Sequence, residues 1–331
     1  MGAASDVQQG LYGDATPPPR RRFRKRLLLL LPGAIVAWFV VSFALFAISE
    51  ATSPGVSSAV RGVLDHGGTP PFSATTVLVL ATDPPSAAAN SAAAAASGPP
   101  HSDILMLIRA GGGHSARLSI PRDMVARVPG HGLIKIDEAY SLGGTALALE
   151  TVKSYLGIAI DHVVQINFDG FPKLVNALGG IDYTGNCIRS QLSDGTTLSI
   201  PAGTHHLSGA QALAMARTSH NLCLPTDTVF YGAIDRTVRQ QQLLVALQHR
   251  LGSPSSLLRL PWIAWSAPQA LLTDMNAVAF LGFLAAMKGA GVPATRVLQP
   301  DRVQRLPHGG IEFFTSSAHR REAVASFLAG G

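Results

Sequence analysis

Signals for several common functions are missing from this sequence. Charged residues make up only 14% of its 331 positions, and aromatic residues only 6%. Its cysteines and histidines show none of the spacings that are typical of zinc sites. It also has no glycine-rich phosphate loop, no G-x-S-x-G elbow and no recognisable Ser/His/Asp set. These absences argue against a P-loop nucleotide enzyme, a serine hydrolase and a zinc protein.

The net charge of +6 is unevenly distributed along the chain. Six of the 26 Lys and Arg residues and three of the 20 acidic residues lie in the first 50 positions, which leaves 20 basic against 17 acidic residues in the remainder. A net charge of +3 over such a length is no signature of a nucleic-acid-binding surface. We therefore expect no nucleic-acid partner.

One long hydrophobic segment stands near the N-terminus. Residues 27–49 contain no charged side chain, and roughly 20 apolar residues suffice for a helix to cross a ~30 Å hydrocarbon core. Six basic residues precede this segment within 20–26, and such residues favour the cytoplasmic side. We predict a single-pass protein of the cell membrane, with a cytoplasmic basic tail (1–26), a transmembrane helix (27–49) and the remaining chain outside.

A cleaved signal peptide is the competing interpretation of this segment. The apolar part of a signal peptide is usually about 7–15 residues long, and the segment here is longer. Both interpretations place the rest of the chain outside the cytoplasm.

The exported part is predicted to contain a stalk at 50–73, rich in Ser, Gly and Pro, and one domain at 74–331. Apolar and β-branched runs predict strands at 75–81, 104–109, 116–120, 162–168, 295–298 and 311–314. Helical spacing predicts helices at 144–156, 170–178, 208–218, 235–251, 276–288 and 319–328. An Ala/Ser/Pro-rich segment at 84–100 is predicted to be a surface loop. Interleaved strands and helices indicate a layered α/β fold.

Two aspartates flank the first two predicted strands. Asp83 follows the first strand and Asp103 precedes the second, so neighbouring strands would bring both carboxylates to one end of the sheet. Carboxylate oxygens suit a hard cation such as Mg²⁺, which also takes phosphate oxygens. The alternative is that both residues form turns or cap helices, as aspartates near strand ends often do.

Basic residues recur near the ends of predicted elements. Arg122 follows the third strand and precedes Asp123, where a guanidinium could bind a phosphate through two hydrogen bonds. Positions 236, 239 and 240 share one helix face, so Arg236, Arg239 and Gln240 would point the same way. Arg217, at the end of the preceding helix, could join them. The alternatives are a surface ion pair for Arg122 and a solvated charged stripe on the helix.

The two cysteines, Cys187 and Cys223, both lie in the exported part. An even number of cysteines in an oxidising compartment favours a disulfide over two separate buried thiols.

These features coincide, in order, with the motifs of a known family, and the chain resembles the LytR–CpsA–Psr family of bacterial cell-envelope proteins over about residues 74–250. The matching segments are VLVLATD (77–83), HSDILM (101–106), SIPRD (119–123), KIDEAY (135–140), DGFPKLVNALGGID (169–182), PAG (201–203), QAL (211–213) with Arg217, and RTVRQQ (236–241). The cysteine pair and the abundance of Ala, Gly, Pro and Arg suggest an actinobacterial branch.

The resemblance implies a fold and a chemistry. It implies a central mixed or antiparallel sheet covered by helices, and a catalytic domain at 74–331 that transfers a glycopolymer phosphosugar from a polyprenyl-pyrophosphate carrier to a peptidoglycan hydroxyl. The carrier, the peptidoglycan acceptor and membrane lipid would be its partners. Mg²⁺, or alternatively Mn²⁺, would be the cofactor.

Site residues are carried over from the matching motifs. Asp83 and Asp103 would hold the metal, and Arg122, Asp123 and Asp103 would be the catalytic residues. The pyrophosphate would be bound by Arg122, Arg217, Arg236, Arg239 and Gln240, and the apolar helices nearby would surround the polyprenyl chain.

Two other functions use the same residues. A polyprenyl-pyrophosphate phosphatase would have water in place of the sugar hydroxyl. A non-catalytic lipid-binding or regulatory protein is favoured by Ser219, where the family often has a second arginine.

Overall fold

The computed structural model has a central sheet between two layers of helices. It describes residues 20–330 apart from 54, 66, 69, 71, 83–101, 192–194, 196, 219–220, 224–228, 292–293 and 308–309. In the first helix the side chains are described from residue 32 onward, and in the helix over 229–251 they are described from residue 232 onward. Asp83, Ser219 and the predicted loop at 84–100 therefore lie outside the described residues.

The strands and helices follow one another along the whole described chain. The strands are β1 Thr75–Thr82, β2 Ser102–Gly111, β3 His114–Ser119, β4 Val125–Val128, β5 Gly132–Lys135, β6 His162–Asn167, β7 Ile181–Gly185, β8 Ile188–Gln191, β9 Thr197–Ile200, β10 Gly203–Leu207, β11 Leu271–Thr273, β12 Ala294–Val297, β13 Arg302–Arg305 and β14 Ile311–Phe314. The helices are α1 Arg20–Thr52, α2 Ser58–Val63, α3 Glu138–Leu156, α4 Phe171–Ala177, α5 Gly209–Arg217, α6 Val229–Leu251, α7 Pro254–Leu258, α8 Leu260–Ala270, α9 Ala277–Gly289 and α10 Ser317–Ala329.

The central sheet is mixed, with the strand order β11-β6-β1-β2-β3-β12. Strand β1 pairs antiparallel with β2 and parallel with β6. Strands β2 and β3 form a hairpin in which Gly111 pairs with His114. Four two-stranded ribbons accompany this sheet in the described residues. The predicted layered α/β fold with a mixed central sheet is confirmed.

Alternation along the strands divides the apolar interior into two cores, since successive side chains of a strand point to opposite faces. Val77, Val79 and Met106 face a core that includes residues of α4, α5, α6 and α9. Leu78 and Leu80 face the other core, which is completed by β4, α3 and α10. Every residue of β1 is buried, so this strand requires covering elements on both faces.

The regular elements agree with the sequence prediction more closely than the short ones. The β2–β3 hairpin turns at Gly111–Gly113 as predicted, with positive φ at all three glycines. Helix α5 begins at a capping box formed by Ser208 and Gln211, within the predicted range. Helix α3 begins six residues before the predicted start, because two helices meet at a kink at Gly143 and Gly144. The β4–β5 hairpin, strands β7–β10 and helices α7 and α8 were not predicted.

The N-terminal part contains one helix that is long and apolar enough to cross a membrane, by length and composition, over Pro32–Thr52. This range overlaps the predicted transmembrane segment at 27–49. Helix α1 extends beyond that predicted segment at both ends. Within the segment predicted as a stalk, α2 contributes the buried Val60 to the core that faces α3.

The predicted disulfide between Cys187 and Cys223 is present, and its two Cα atoms lie 5.9 Å apart. Cys187 directly precedes β8, and the Asn221 side chain donates to the Cys187 carbonyl at 3.0 Å. The bridge therefore ties the β8–β9 ribbon to the segment that follows α5.

Replacing both cysteines by alanine should lower the free energy of unfolding by roughly 3–4 kcal/mol, because the bridge closes a loop with a sequence separation of 36 residues in the unfolded chain. Urea unfolding of the detergent-solubilised chain, followed by circular dichroism, measures this change. The wild-type protein treated with a reductant is the matched control and should unfold at the same urea concentration as the double variant. An unchanged midpoint in both samples would contradict the prediction.

Candidate active site

The predicted site residues meet at one edge of the central sheet. Because β1 and β2 are antiparallel, the last residue of β1, Thr82, pairs with the first residue of β2, Ser102. Asp103 follows Ser102, and Arg122 and Asp123 come three and four positions after the end of β3, which also lies at this edge. The sheet register thus places Asp103 beside the segment that carries Arg122.

Asp103 is the centre of a small ion cluster. Its Oδ1 atom accepts a hydrogen bond from Arg122 Nη1 at 2.6 Å, and Arg236 Nη1 approaches the same oxygen at 3.9 Å. Asp123 pairs with Lys135 at 2.8 Å and lies 4.0 Å from Arg122 Nε. The four predicted residues Asp103, Arg122, Asp123 and Arg236 are therefore brought together.

Helix α6 presents the face that the sequence predicted. Arg236, Arg239 and Gln240 are all buried, at 4%, 2% and 5% relative exposure. This face therefore borders the core and is no solvated stripe. Gln240 Nε2 donates to the carbonyl oxygens of Asp103 at 3.3 Å and Ala216 at 3.1 Å, and so connects α6 to both β2 and α5.

Arg239 and Arg217 have other partners in this structure. Arg239 pairs with Asp235 one turn earlier and donates to the Thr218 carbonyl at 2.5 Å. The Arg217 guanidinium carbon lies 5.7 Å from the centre of the Phe168 ring. Both arginines border the junction of α5 and α6.

Arg236 combines burial with an unused hydrogen-bond donor. Loss of hydration lowers its pKa to about 10, against the opposing attraction of Asp103. It therefore remains charged at neutral pH. Its buried Nε atom has no hydrogen-bond partner among the described residues. Such a donor is costly to leave unpaired, so the atom is suited to an additional acceptor.

The local charge balance also favours an anion. Arg122, Lys135 and Arg236 supply three positive charges, against two from the carboxylates of Asp103 and Asp123. A third acid, Asp137, cancels this excess only in part at neutral pH, because burial raises its pKa to about 7.

Lys135 and Asp137 were not predicted as site residues, although both lie in the motif KIDEAY. Burial raises the pKa of Asp137 to about 7, and the attraction of Arg122 and Lys135 only partly offsets this. Its Oδ1 atom has no hydrogen-bond partner among the described residues. Lys135 reaches Asp123 because it pairs with Val125 across the β4–β5 hairpin. The sequence contained the motif, but it gave no sign that the carboxyl group of Asp137 would be buried.

The donors near Asp103 are compatible with a hard cation. Both arginine contacts are made to Oδ1, so these two arginines leave the other carboxylate oxygen unengaged. The neighbouring Ser102 hydroxyl is buried without a hydrogen-bond partner in the described part of the chain. No group of three potential metal ligands is found in that part, which omits Asp83. Mg²⁺ commonly needs only one or two carboxylates, since phosphates and waters complete its coordination.

An apolar layer begins directly beside the ion cluster. Leu243 and Leu247 continue α6 beyond Gln240, and they pack with Phe283 and Met287 of α9 against the sheet. A cavity of about 530 Å³ lies elsewhere, along Gln242, Val245 and Arg250 of α6. The charged edge is therefore separated from that cavity.

The site thus has buried arginines at one edge of a mixed sheet. The chain that carries it also has an N-terminal helix that could span a membrane. A sequence model of the LytR_cpsA_psr family matches residues 65–322. The chain belongs to this family, and the resemblance drawn from its motifs is confirmed.

Two curated relatives share about a third of the matched positions. The chain is 35% identical over 147 residues to the probable cell wall biosynthesis protein LcpB of Corynebacterium glutamicum, covering 44% of this chain and 33% of that protein. It is 34% identical over 165 residues to the polyisoprenyl-teichoic acid–peptidoglycan teichoic acid transferase TagV of Bacillus subtilis, covering 48% and 40%. The alignments thus span less than half the length of either relative.

Solved structures extend the likeness over most of the fold. The crystal structure of B. subtilis TagV superposes with a TM-score of 0.62 at 25% identity, covering 78% of this chain and 96% of that one. B. subtilis TagT with bound octaprenyl pyrophosphate lipid superposes with a TM-score of 0.57 at 23% identity, covering 81% and 92%. The second likeness shows the fold alone.

Replacing Asp137 by asparagine should stabilise the protein at alkaline pH. The pKa of Asp137 is about 7 in the folded protein and 3.8 ordinarily, so the unfolded chain releases this proton first and stability falls as the pH rises between these values. Asparagine does not ionise. We expect the variant to gain roughly 4 kcal/mol at about pH 8 and less than about 1 kcal/mol at about pH 4.

Urea unfolding at both pH values, without added metal, measures this difference. Asp169→Asn is the control, because it makes the same change at an exposed position. Equal stability of the wild type and the Asp137→Asn variant at the higher pH would show that the carboxyl group is not desolvated.

Proposed function

We propose that this protein transfers a glycopolymer phosphosugar from a polyprenyl-pyrophosphate carrier to a hydroxyl group of peptidoglycan, forming a phosphodiester. One observation carries the proposal: the guanidinium of Arg236 is buried between an ion cluster and an apolar layer and has an unused Nε donor. A carrier with a charged pyrophosphate and a long hydrocarbon chain matches both surroundings. The names of LcpB and TagV support the same assignment.

The reaction requires a positive site for a phosphate leaving group. Arg122 and Arg236 would bind the pyrophosphate, and Gln240 would hold α6 against the start of β2. A wall hydroxyl oxygen would form a bond to the phosphorus next to the sugar, and the bond from that phosphorus to the bridging oxygen would break, releasing polyprenyl phosphate. Positioned cations stabilise the charge that develops on the phosphates.

The hydroxyl proton needs an acceptor, and three carboxyl groups border the arginines. Asp123 and Asp103 are the candidates from the sequence. Asp137 is a third, because a group whose pKa is near the working pH is well matched to proton transfer. Asp123 is already a hydrogen-bond acceptor for Lys135.

Asp103 would hold Mg²⁺, or Mn²⁺, together with Asp83. The cation would neutralise charge on the phosphates. Arg217 and Arg239 would lie at the margin of the site, where Arg239 could exchange Asp235 for a phosphate oxygen.

We also propose the topology that the basic residues indicate, with the N-terminus in the cytoplasm and the domain outside. Helix α1 would then hold the ion cluster near the leaflet that contains the lipid carrier. Supply of the donor within the membrane would explain why the domain is tethered.

Replacing Arg122 or Asp103 by alanine should abolish transfer, because each removes one half of the 2.6 Å pair at the centre of the site. The full chain in lipid nanodiscs is incubated with a labelled polyprenyl-pyrophosphate oligosaccharide, Mg²⁺ and a glycan acceptor. The phosphodiester-linked product is then quantified. Arg305→Ala, on the exposed strand β13, is the matched control and should retain activity.

The products separate the proposed function from its alternatives. Release of free phosphosugar without linkage to the acceptor would identify a phosphatase. Binding of the labelled lipid without turnover would favour a regulatory protein. Wild-type turnover by both site variants would show that the site is elsewhere.

A further inference from the structure

An exposed apolar surface lies on the helices that follow α6. Residues 251–273 contain a single charged residue, Arg259, and α8 contains none. Within this segment Leu257, Leu258 and Trp262 are 56%, 74% and 59% exposed. Such a concentration of exposed Leu and Trp is unusual for a surface in water and marks a contact with a partner or a membrane.

Helix α1 packs directly against this surface. The Trp38 indole Nε1 donates to the Leu257 carbonyl at 2.9 Å, and the Trp38 and Trp262 rings are 6.0 Å apart. Ser49 Oγ donates to the Trp265 carbonyl at 2.7 Å. The helix that could span a membrane and the apolar segment of the domain therefore form one continuous surface.

The position of these contacts along α1 sets their depth. Trp38 is eleven residues from Ser49, about 17 Å along a helix that rises 1.5 Å per residue. If residues 27–49 cross a hydrocarbon core of about 30 Å, Trp38 lies well inside it. The α7–α8 segment that contacts Trp38 must then lie below the headgroups on the domain side.

The composition of the segment suits that depth. Trp265 of α8 lies beside Ser49, at the outer end of the predicted span, and tryptophan is enriched where a membrane meets water. Arg259 is exposed between α7 and α8, and its guanidinium lies over Gly179, on the domain side of the segment. Lys288, near the end of the apolar helix α9, is exposed as well. Apolar residues beside isolated basic ones match a bilayer surface.

We propose that α7 and α8 are a second membrane contact, inserted beside α1 into the outer leaflet, with bilayer lipid as the occupant of their exposed face. Bilayer lipid is favoured over a protein partner because the surface continues onto a helix that itself meets lipid. The proposal rests on the proposed topology but not on the transfer reaction. It implies that the domain is held against the membrane in one orientation.

The three tryptophans of the chain provide the test. Trp38→Phe leaves Trp262 and Trp265 as the fluorophores, and the full-length variant is placed in nanodiscs with or without phosphatidylcholine brominated on its acyl chains. We expect bromination to reduce the emission by roughly half, because the contact of Trp262 with Trp38 places α8 beside the acyl chains of the outer leaflet. Aqueous acrylamide should quench it weakly.

Matched variants locate the effect. In a chain whose native tryptophans are replaced by phenylalanine, Leu328→Trp places a fluorophore on α10, beside Gly111 and Gly112 at the opposite end of the sheet. This variant should be quenched by acrylamide and not by brominated lipid. Adding Leu258→Asp to the Trp38→Phe variant should weaken the lipid quenching, and the 74% exposure of Leu258 makes the substitution compatible with folding.

The remaining outcomes overturn the proposal. Strong acrylamide quenching without lipid quenching at Trp262 and Trp265 would place the segment in water. Protection from both quenchers would place a protein partner or a second copy on it. A chain with Trp38 as its sole tryptophan must be quenched by lipid, which verifies insertion of α1. None of these fluorescence measurements uses the glycopolymer donor or the glycan acceptor, so a failure of the transfer assay leaves them unaffected.

Discussion

Burial of β1 on both faces is the constraint on which the rest of the structure depends. Its side chains alternate between two cores, so helices must cover the sheet on both sides. Charged groups can then gather where the chain leaves the apolar interior. The edge formed by the end of β1 and the start of β2 is such a place, and Asp103 lies there.

The charged edge works as one electrostatic system. The buried guanidinium of Arg236 would be costly without compensation, and Asp103 supplies part of it while also holding Arg122. Asp137 is desolvated in the same region, which brings its pKa close to neutrality. Donors that have no partner among the described residues, together with an excess of positive charge, make the site receptive to an anion. The adjacent apolar layer is where the hydrocarbon chain of the proposed lipid-linked donor would lie.

Much of the fold could be predicted because its signals are local. The alternating run that forms β1, the glycine turn of the β2–β3 hairpin and the cap at Ser208 each depend on neighbouring residues. Strands β7 to β10 have only four or five residues each. They were not predicted because such short runs show little alternation of apolar and polar residues. Helix α8 was not predicted because its apolar residues surround the helix instead of forming one stripe.

The sequence by itself determined the hydrophobic anchor, the order of the motifs and the family to which the chain belongs. It also placed Arg236, Arg239 and Gln240 on one face of α6. Only the tertiary structure decided that Arg236 meets Asp103 while Arg239 donates to the Thr218 carbonyl, that Asp137 is desolvated, and that α8 packs on α1. The physical reason is that helical period and hydrophobicity are properties of neighbouring residues. The partner of a charge, its hydration and the packing of two helices depend on residues that are distant in the sequence.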